Sequence, residues 1–131
     1  MRLLLDTHIA LWALLDDPRL SGEACALISD PSNTITVSVV SVWEITIKHA
    51  LSRGRAGDMP LSGSAALGYF RLAGYDVLPI SAAHVVAVEA LPAIHSDPFD
   101  RLLVAQAHSE SLRLITADRQ VAAYDTGIML I

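Results

Sequence analysis

The sequence predicts an α/β fold, with a central parallel β-sheet flanked by helices on both faces in one domain over residues 1–131. Two observations favour this architecture. The chain has 131 residues, the usual size of a domain with one hydrophobic core. Short apolar or β-branched runs also alternate with segments of helical spacing. Right-handed crossovers would then bring every strand-to-helix turn to one edge of the sheet.

The predicted elements follow one another along the whole chain. A short apolar strand opens the sequence, and a longer β-branched run gives the clearest strand signal. The predicted strands are residues 2–5, 34–40, 76–80, 112–116 and 128–131. Helices are predicted to begin at Thr7, after Ser21, after Ser41, near Ser64, after Ser81, at Pro98 and near Asp118. This order is typical of consecutive strand–helix units.

Local signals define several helix boundaries. Asp16-Asp17-Pro18 breaks the first helix. Ser41 is the predicted N-cap of the third helix, and Glu44 would then complete a capping box. Residues 54–63 contain Gly, Pro, Asp and Ser and predict the main flexible connection. The fifth helix is predicted to continue without interruption to about Leu91.

Four acidic residues lie where predicted strands give way to helices: Asp6, Glu44, Asp100 and Asp118. At one edge of a parallel sheet they would form a cluster, in the position where open α/β sheets bind ligands. Crowded carboxylates repel one another unless a cation or protons intervene. Because hard divalent cations prefer oxygen ligands, the cluster predicts a magnesium or manganese site. This chemistry favours a metal-dependent phosphodiester hydrolase.

Each of these acids also has an ordinary structural role available. Asp6 and Asp118 could cap the helices that follow them. Glu44 could complete the capping box of Ser41 or pair with Lys48 one helical turn later. Asp97 and Asp100 both lie in a helical first turn, where the helix dipole favours negative charge. The metal site is therefore predicted from the combination of acids and not from any one of them.

Other polar residues lie beside the acids. Thr7, Ser38 and Thr116 carry hydroxyl groups that could orient the carboxylates or the attacking water, although capping at strand ends explains them equally well. His8 and His95 are near acids in sequence and are candidate substrate contacts.

Several competing chemistries are excluded by missing motifs. The glycines are isolated, so no glycine-rich phosphate loop is present. The third position of Asp6-Thr7-His8 is histidine, so the Asp-x-Asp pattern of aspartate-nucleophile phosphatases is absent. No Gly-x-Ser-x-Gly motif is present for a serine hydrolase. The five histidines show no zinc-ligand spacing with the single cysteine.

Composition and charge narrow the class of protein further. The net charge of −5 argues against a protein that coats nucleic acid through a basic surface. Hydrophobic residues make up 53% of the chain, which indicates a deeply buried sheet, a surface reserved for a partner, or both. Acidic residues interrupt the apolar N-terminal stretch, so no membrane segment or signal peptide is expected. A single cysteine, Cys25, fits the reducing cytoplasm.

Four motifs occur in order along the chain. They are Asp6-Thr7-His8 with Leu11-Trp12, Ser38 with Ser41-Val42-Trp43-Glu44-Ile45, the run from His95 to Leu103 with Ala105-Gln106-Ala107, and Thr116-Ala117-Asp118. This set resembles PIN-domain proteins, specifically the VapC-type toxins of bacterial toxin–antitoxin pairs. The resemblance covers nearly the whole chain. A single acid would be weak evidence for the family, but four motifs in this order are specific to it.

The resemblance implies a magnesium- or manganese-dependent ribonuclease site in a small α/β domain. The metal-site acids would be Asp6, Glu44, Asp100 and Asp118. Thr116 would supply the hydroxyl of the last motif, and Asp97 would order its loop or hold an outer-shell water. No acid of the pattern is missing, so an active member of the family is expected.

The resemblance also implies partners. They are an RNA substrate, a second copy in a homodimer, and a cognate VapB-type antitoxin that lays a helix or extended arm along a hydrophobic groove, with a higher toxin–antitoxin assembly as an extension. Trp12 and Trp43 fit such a groove, and they fit core positions equally. Lys48 and Arg101 are close in sequence to the acids and are predicted to contact RNA phosphate.

The predicted function is the toxin of a type II toxin–antitoxin pair, acting as a divalent-metal-dependent endoribonuclease. Water would attack the phosphorus in line, with the acids holding metal, and would leave 5′-phosphate and 3′-hydroxyl ends. Two alternatives stay open: a metal-dependent DNA nuclease or phosphatase using the same carboxylates, and a catalytically silent binding module. The RNA target, its cleavage motif and the number of metal ions also stay open.

Overall fold

Five parallel strands form one sheet in the order β3-β2-β1-β4-β5 in the computed structural model, which describes residues 1–131. The strands are β1 (Arg2–Leu5), β2 (Thr34–Ser38), β3 (Asp76–Leu78), β4 (Arg113–Thr116) and β5 (Met129–Leu130). The helices are α1 (Thr7–Leu15), α2 (Gly22–Ser29), α3 (Val39–Ala50), α4 (Gly63–Leu72), α5 (Ala82–Ala87), α6 (Pro98–Ser109) and α7 (Arg119–Ala122), with a 3₁₀ turn at Val88–Ala90. The predicted α/β class and parallel sheet are confirmed.

The central strand β1 contributes to a hydrophobic core on each face of the sheet. Leu3 and Leu5 pack on one face with residues of α1, α3 and α4. Leu4 packs on the opposite face with residues of α6, α7 and β4. Successive side chains of a strand point to opposite faces, so a strand buried on both faces must be apolar at every position. This explains the uninterrupted leucines at the start of the chain.

The strand order reverses beside β1. The chain proceeds from β1 to β2 and β3 on one side, and β4 and β5 lie on the other side. Loops at the carboxyl ends of β1 and β4 therefore diverge and leave a crevice between them, the usual place for a ligand in an open α/β sheet. Asp6 directly follows β1, and Thr116 is the last residue of β4.

The beginning of α3 differs from the sequence prediction. The predicted strand to residue 40 ends at Ser38, and α3 begins at Val39. The Ser38 hydroxyl accepts a hydrogen bond from the Val40 amide at 2.9 Å, so Ser38 is the N-cap in place of Ser41. The predicted capping box with Glu44 is therefore wrong. The physical reason is that both serines can cap, and the earlier cap overrides the strand preference of the two valines.

Other boundaries differ by shorter stretches. Ser21 and Ser81 cap α2 and α5 as predicted. The predicted fifth helix is split, because the α-helix ends at Ala87 and a 3₁₀ turn follows. Strand β3 ends at Leu78, since Pro79 has no N–H to continue the ladder. The ends of the other strands agree within the usual uncertainty of assignment.

Residues 51–62 connect α3 to α4, so the predicted connection over residues 54–63 lies in the right place but begins three residues earlier and ends one residue earlier. At its end α4 approaches α3 closely, and a Cβ atom built on Gly63 would lie 1.8 Å from Thr46 Oγ1. Only glycine fits this contact without movement of the neighbouring helix. None of the seven helices combines the length and apolar character needed to cross a bilayer.

Candidate active site

Asp6 joins the ends of the two central strands. Its side chain caps α1, with Oδ1 accepting a hydrogen bond from the Ile9 amide at 3.0 Å. Oδ2 accepts a hydrogen bond from the hydroxyl of Thr116 at the end of β4. Asp6 therefore caps α1 with one carboxylate oxygen and contacts the end of β4 with the other. Burial raises the pKa of Asp6, and the negative charge of Glu44 raises it further. The hydrogen bonds from the Ile9 amide and the Thr116 hydroxyl act in the opposite direction.

Glu44 reaches the same region from α3. It is buried, and its Oε1 atom accepts a hydrogen bond from the Thr7 hydroxyl at 2.7 Å. Its Oε2 atom lies 2.6 Å from Lys48 Nζ, one helical turn later. Thr7 Oγ1 also lies 2.9 Å from the hydroxyl oxygen of Ser41, which is buried inside α3. Thr7 and Lys48 thus hold the Glu44 carboxylate in one orientation.

Asp97 and Asp100 occupy the start of α6. Asp97 is the N-cap, and its Oδ1 atom accepts hydrogen bonds from the amides of Phe99 at 2.8 Å and Asp100 at 3.2 Å. Pro98 fits the first helical position because its missing N–H is not needed there. Asp97 therefore orders the first turn of α6, which carries Asp100.

The pKa of Asp100 is raised to about 7, first by burial and then by the negative charges of Asp97, Asp6 and Glu44. The nearby His95 acts in the opposite direction. The negative charges of Asp6, before α1, and of Glu44, in α3, are therefore close enough to Asp100 to disfavour its ionisation. Such a concentration of negative charge is stabilised by protons or by a cation.

His95 connects Asp100 with Asp118. Its Nε2 atom lies 3.0 Å from Asp100 Oδ2 and 3.3 Å from Asp118 Oδ2. Its Nδ1 atom accepts a hydrogen bond from the Asp97 amide at 3.3 Å, which assigns the ring proton to Nε2. His95 Nε2 therefore lies within ion-pair distance of both carboxylates.

Asp118 completes the group as the N-cap of α7. Its Oδ1 atom accepts a hydrogen bond from the Gln120 amide at 2.8 Å, and its own amide donates to Thr116 Oγ1 at 3.0 Å. Ligand atoms of His95, Asp100 and Asp118 all lie within 4.8 Å of one another. Asp6 adjoins this group through Thr116, whereas Glu44 acts on Asp100 through its charge and is not among the residues whose ligand atoms lie this close together.

The remaining predicted site residues are placed as follows. Ser38 donates a hydrogen bond to the side-chain oxygen of buried Gln106, so its hydroxyl serves the core and the α3 cap. Arg101 donates to the carbonyls of Val88, Pro92 and His95 and to the Tyr124 hydroxyl. Its guanidinium holds the loop before α6, and a phosphate contact by Arg101 stays a prediction.

The sequence predicts His95 only as a candidate substrate contact. The structure places it between two of the acids, Asp100 and Asp118. The useful signal was its position two residues before the Asp97-Pro98 cap, where a compact turn returns its ring towards the helix start. Tyr124, which accepts a hydrogen bond from the His95 amide at 2.8 Å, gave no such signal.

The donor set suits a hard divalent cation. The converging groups are carboxylates, and each ionised oxygen that already accepts one hydrogen bond keeps another lone-pair direction. Oxygen-rich sites of this kind favour magnesium or manganese over softer metals. The four acids and the buried, partly desolvated setting therefore fit such an ion.

Comparison with known proteins identifies the family. Residues 3–127 match the family model described as the PIN domain. The chain belongs to the PIN-domain family. It is also 30% identical over 122 residues to Ribonuclease VapC22 from Mycobacterium tuberculosis (strain ATCC 25618 / H37Rv), covering 92% of this chain and 90% of that protein. The resemblance to VapC-type PIN domains is confirmed.

Solved structures of the same fold come from toxin–antitoxin systems. VapBC2 from Rickettsia felis, solved with a promoter DNA fragment, matches 100% of this chain and 98% of its own chain, with a TM-score of 0.69 at 19% identity. A chain of a toxin–antitoxin complex from Klebsiella pneumoniae matches 97% of this chain and 95% of its own length, with a TM-score of 0.65 at 21% identity. A chain of VapBC-1 from nontypeable Haemophilus influenzae matches 100% of this chain and 97% of its own length, with a TM-score of 0.63 at 15% identity. These likenesses confirm the PIN-domain fold.

Proposed function

We propose that this PIN-domain protein is the toxin of a type II toxin–antitoxin pair and acts as a divalent-metal-dependent endoribonuclease. The observation that supports the proposal is the cluster of His95, Asp100 and Asp118, whose ligand atoms lie within 4.8 Å of one another, with the negative charges of Asp6 and Glu44 helping to raise the pKa of Asp100 to about 7. The relative VapC22 is named a ribonuclease, which supports RNA as the substrate. The lone Cys25 and the absence of a membrane-spanning helix fit a protein of the cytoplasm.

The residues that would hold the ion are Asp6, Glu44, Asp100 and Asp118. A divalent cation, when bound, supplies Lewis-acid activation of water and of a phosphoryl oxygen. Magnesium is the expected ion, with manganese as a substitute, because the donors are carboxylates. One or two direct carboxylates are usual for magnesium, so the other acids would act through bound waters.

Hydrogen bonds hold two of the carboxylates in place. The Thr116 hydroxyl and the Ile9 amide donate to Asp6, and the Thr7 hydroxyl donates to Glu44. Such preorganisation lowers the barrier because the charges need not rearrange during the reaction. The carboxylates bind and orient, and water is the nucleophile. Hydrolysis would leave 5′-phosphate and 3′-hydroxyl ends.

Lys48 is the better placed of the two predicted phosphate contacts. Its side chain is 44% exposed, and its ammonium group already lies beside Glu44 at the edge of the site. When the charge of Glu44 is shared with a cation, Lys48 is free to pair with an RNA phosphate. Arg101 is committed to backbone carbonyls and would contribute by holding the His95 loop.

An apolar groove supplies a surface for a VapB-type antitoxin. A cavity of about 450 Å³ lies between α1 and α4 and is lined by Leu14, Leu15, Leu61, Tyr69, Leu72 and Ala73. The exposed Leu72 and Tyr69 sit on its rim, and an amphipathic antitoxin helix would cover them. Neither tryptophan lines this groove: Trp12 is half-buried elsewhere, and exposed Trp43 packs edge-on against Phe99. A homodimer, and a larger toxin–antitoxin assembly, would use further surface.

Purified protein with RNA, DNA and a small phosphate ester as substrates tests the enzymatic proposal. The wild type with magnesium should cut RNA, and excess chelator should abolish cleavage. Asp6→Asn and Asp100→Asn should fold but lose cleavage. Asp76→Asn, at the exposed start of β3, is the matched control and should remain active.

Each alternative predicts a different outcome of the same experiment. Preferential cleavage of DNA or of the phosphate ester would favour the DNA nuclease or the phosphatase. A lack of any cleavage, together with antitoxin binding, would favour the silent binding module. Full RNA cleavage by Asp100→Asn, or in chelator, would overturn the metal-dependent mechanism.

A further inference from the structure

Two adjoining depressions lie beside the carboxylates. The first has a volume of about 280 Å³ and is lined by Asp6, His8, Trp12, Arg19, Ala117 and Asp118. The second has a volume of about 400 Å³, shares His8, Trp12 and Arg19 with the first, and continues to the loop residues 57–60. A path therefore leads from the acids across Trp12 towards the loop that joins α3 to α4.

Trp12 and Arg19 form one wall of this path. Trp12 is half-buried on α1, and the guanidinium carbon of Arg19 lies 5.1 Å from the centre of its ring. Asp17 accepts hydrogen bonds from Arg19 Nε at 3.1 Å and Nη2 at 2.8 Å. These bonds orient the guanidinium and leave Nη1 for another acceptor. The His8 ring lies 6.0 Å from the Trp12 ring.

This combination of groups suits an unpaired nucleobase. Proteins recognise single-stranded RNA mainly by stacking its bases on aromatic rings and guanidinium planes. A volume of about 280 Å³ is close to the lower limit for small-molecule sites, about 300 Å³, and too small for a base pair. With a net charge of −5, the protein gains little from general attraction to phosphate, so stacking must supply much of the affinity.

We propose that the depression lined by Trp12 and Arg19 binds one base of single-stranded RNA next to the scissile phosphate. The base lies against the indole, and Arg19 Nη1 donates a hydrogen bond to the RNA. His8 borders the same base from α1. This inference rests on the proposed ribonuclease function and adds the surface that seats the substrate beside the acids.

Tryptophan fluorescence tests base binding directly. The chain has two tryptophans, so the Asp100→Asn/Trp43→Phe protein carries Trp12 as its only indole and should not cut its ligand. Single-stranded oligoadenylate and oligouridylate should quench Trp12 emission to saturation, with stronger quenching by the purine. The matched Asp100→Asn/Trp12→Phe protein keeps Trp43, whose emission should not change. Quenching that is absent, or that affects only Trp43, overturns the assignment.

An exposed arginine variant tests the same site in the active enzyme. Arg19→Gln should raise KM for RNA by about fivefold or more and leave kcat nearly unchanged, because it weakens binding without touching the acids. Arg71→Gln on α4 is the control, since Arg71 is also exposed and lines neither depression. An unchanged KM for Arg19→Gln overturns the role of Arg19.

The two proposals fail in different ways. Quenching of Trp12 by RNA, together with no RNA cleavage by the wild type in magnesium, would remove the ribonuclease function and support the base site. Normal RNA cleavage with no response of Trp12 would support the ribonuclease function and remove the base site.

Discussion

The imidazole of His95 is held against the carboxyl group of Asp100, with Nε2 3.0 Å from Oδ2. The backbone amide of Asp97 donates to the opposite ring nitrogen, so the ring proton lies on Nε2, the nitrogen beside Asp100. The same Nε2 atom lies 3.3 Å from Asp118 Oδ2. Carboxyls from two separate helix starts therefore lie against one ring nitrogen, which holds them close together without an ion.

Replacement of His95 tests this positioning role. His95→Gln keeps an N–H donor near the position of Nε2 and should retain most cleavage. His95→Leu removes the donor and should lower activity or metal affinity by about 10- to 100-fold, the usual effect of losing a group that orients a metal ligand. RNA cleavage rates and manganese titration followed by electron paramagnetic resonance measure the two effects. If Gln is as damaging as Leu, His95 acts by proton transfer or direct metal binding instead.

The raised pKa of Asp100 predicts how the metal-free protein responds to pH. Its value of about 7, against an ordinary value of 3.8, means that the folded state binds this proton more tightly than the unfolded state. The contribution of Asp100 to the free energy of unfolding in chelator should therefore be greatest below pH 4. This contribution should fall as the pH rises towards 7. The full effect, reached above pH 7, would be at most about 4 kcal/mol and is reduced by solvent screening of this partly exposed group. Urea denaturation across this range measures it.

Asp100→Asn provides the comparison for the pH experiment. This variant cannot ionise at position 100, so its stability should depend less on pH between 4 and 7 than that of the wild type. The difference between the two curves isolates Asp100, because every other ionisable group is present in both proteins. Identical slopes would show that Asp100 is an ordinary carboxyl. Added magnesium should stabilise the wild type more strongly at pH 7 than at pH 5, because protons compete with the cation.

The sequence predicted where Asp6 and Asp118 lie relative to the strands, but not which residues they contact. Asp6 and Asp118 could be placed because each follows a strand, and parallel strands align their carboxyl ends at one edge. The contact between Asp6 and Thr116 depends on β1 lying beside β4, a neighbour relation that residue order alone does not define. The bridging role of His95 depends on a loop held by Tyr124 and Arg101, and such long-range contacts leave no local pattern.

Thr116 offers a test of the contact between the two central strands. Its hydroxyl donates to Asp6 and accepts from the Asp118 amide at 3.0 Å, and the residue is fully buried. Thr116→Val keeps the shape but leaves two polar groups without a partner, so it should destabilise the protein by about 1–3 kcal/mol and reduce cleavage. Thr116→Ser retains the hydroxyl and should stay active. Thermal denaturation and cleavage rates should change together; loss of stability alone would limit Thr116 to the fold.

The contact between α3 and α4 gives a prediction about stability that does not involve the acids. A Cβ atom on Gly63 would lie 1.8 Å from Thr46 Oγ1 and 3.0 Å from Thr46 Cβ. Thr46 Oγ1 is itself held by donating to the Val42 carbonyl at 2.7 Å. Gly63→Ala should therefore force the helices apart and cost about 1–3 kcal/mol, measured by urea denaturation.

Gly68 is the matched control for this prediction, since it lies on the same helix and a Cβ there would meet nothing within 4 Å. Gly68→Ala should stabilise the protein by up to about 1 kcal/mol, because alanine is the better helix former. Adding Thr46→Ala to Gly63→Ala removes the closest atom and should recover part of the lost stability, with the Cβ contact accounting for the rest. If Gly63→Ala and Gly68→Ala have the same effect, the close approach of α4 to α3 is wrong.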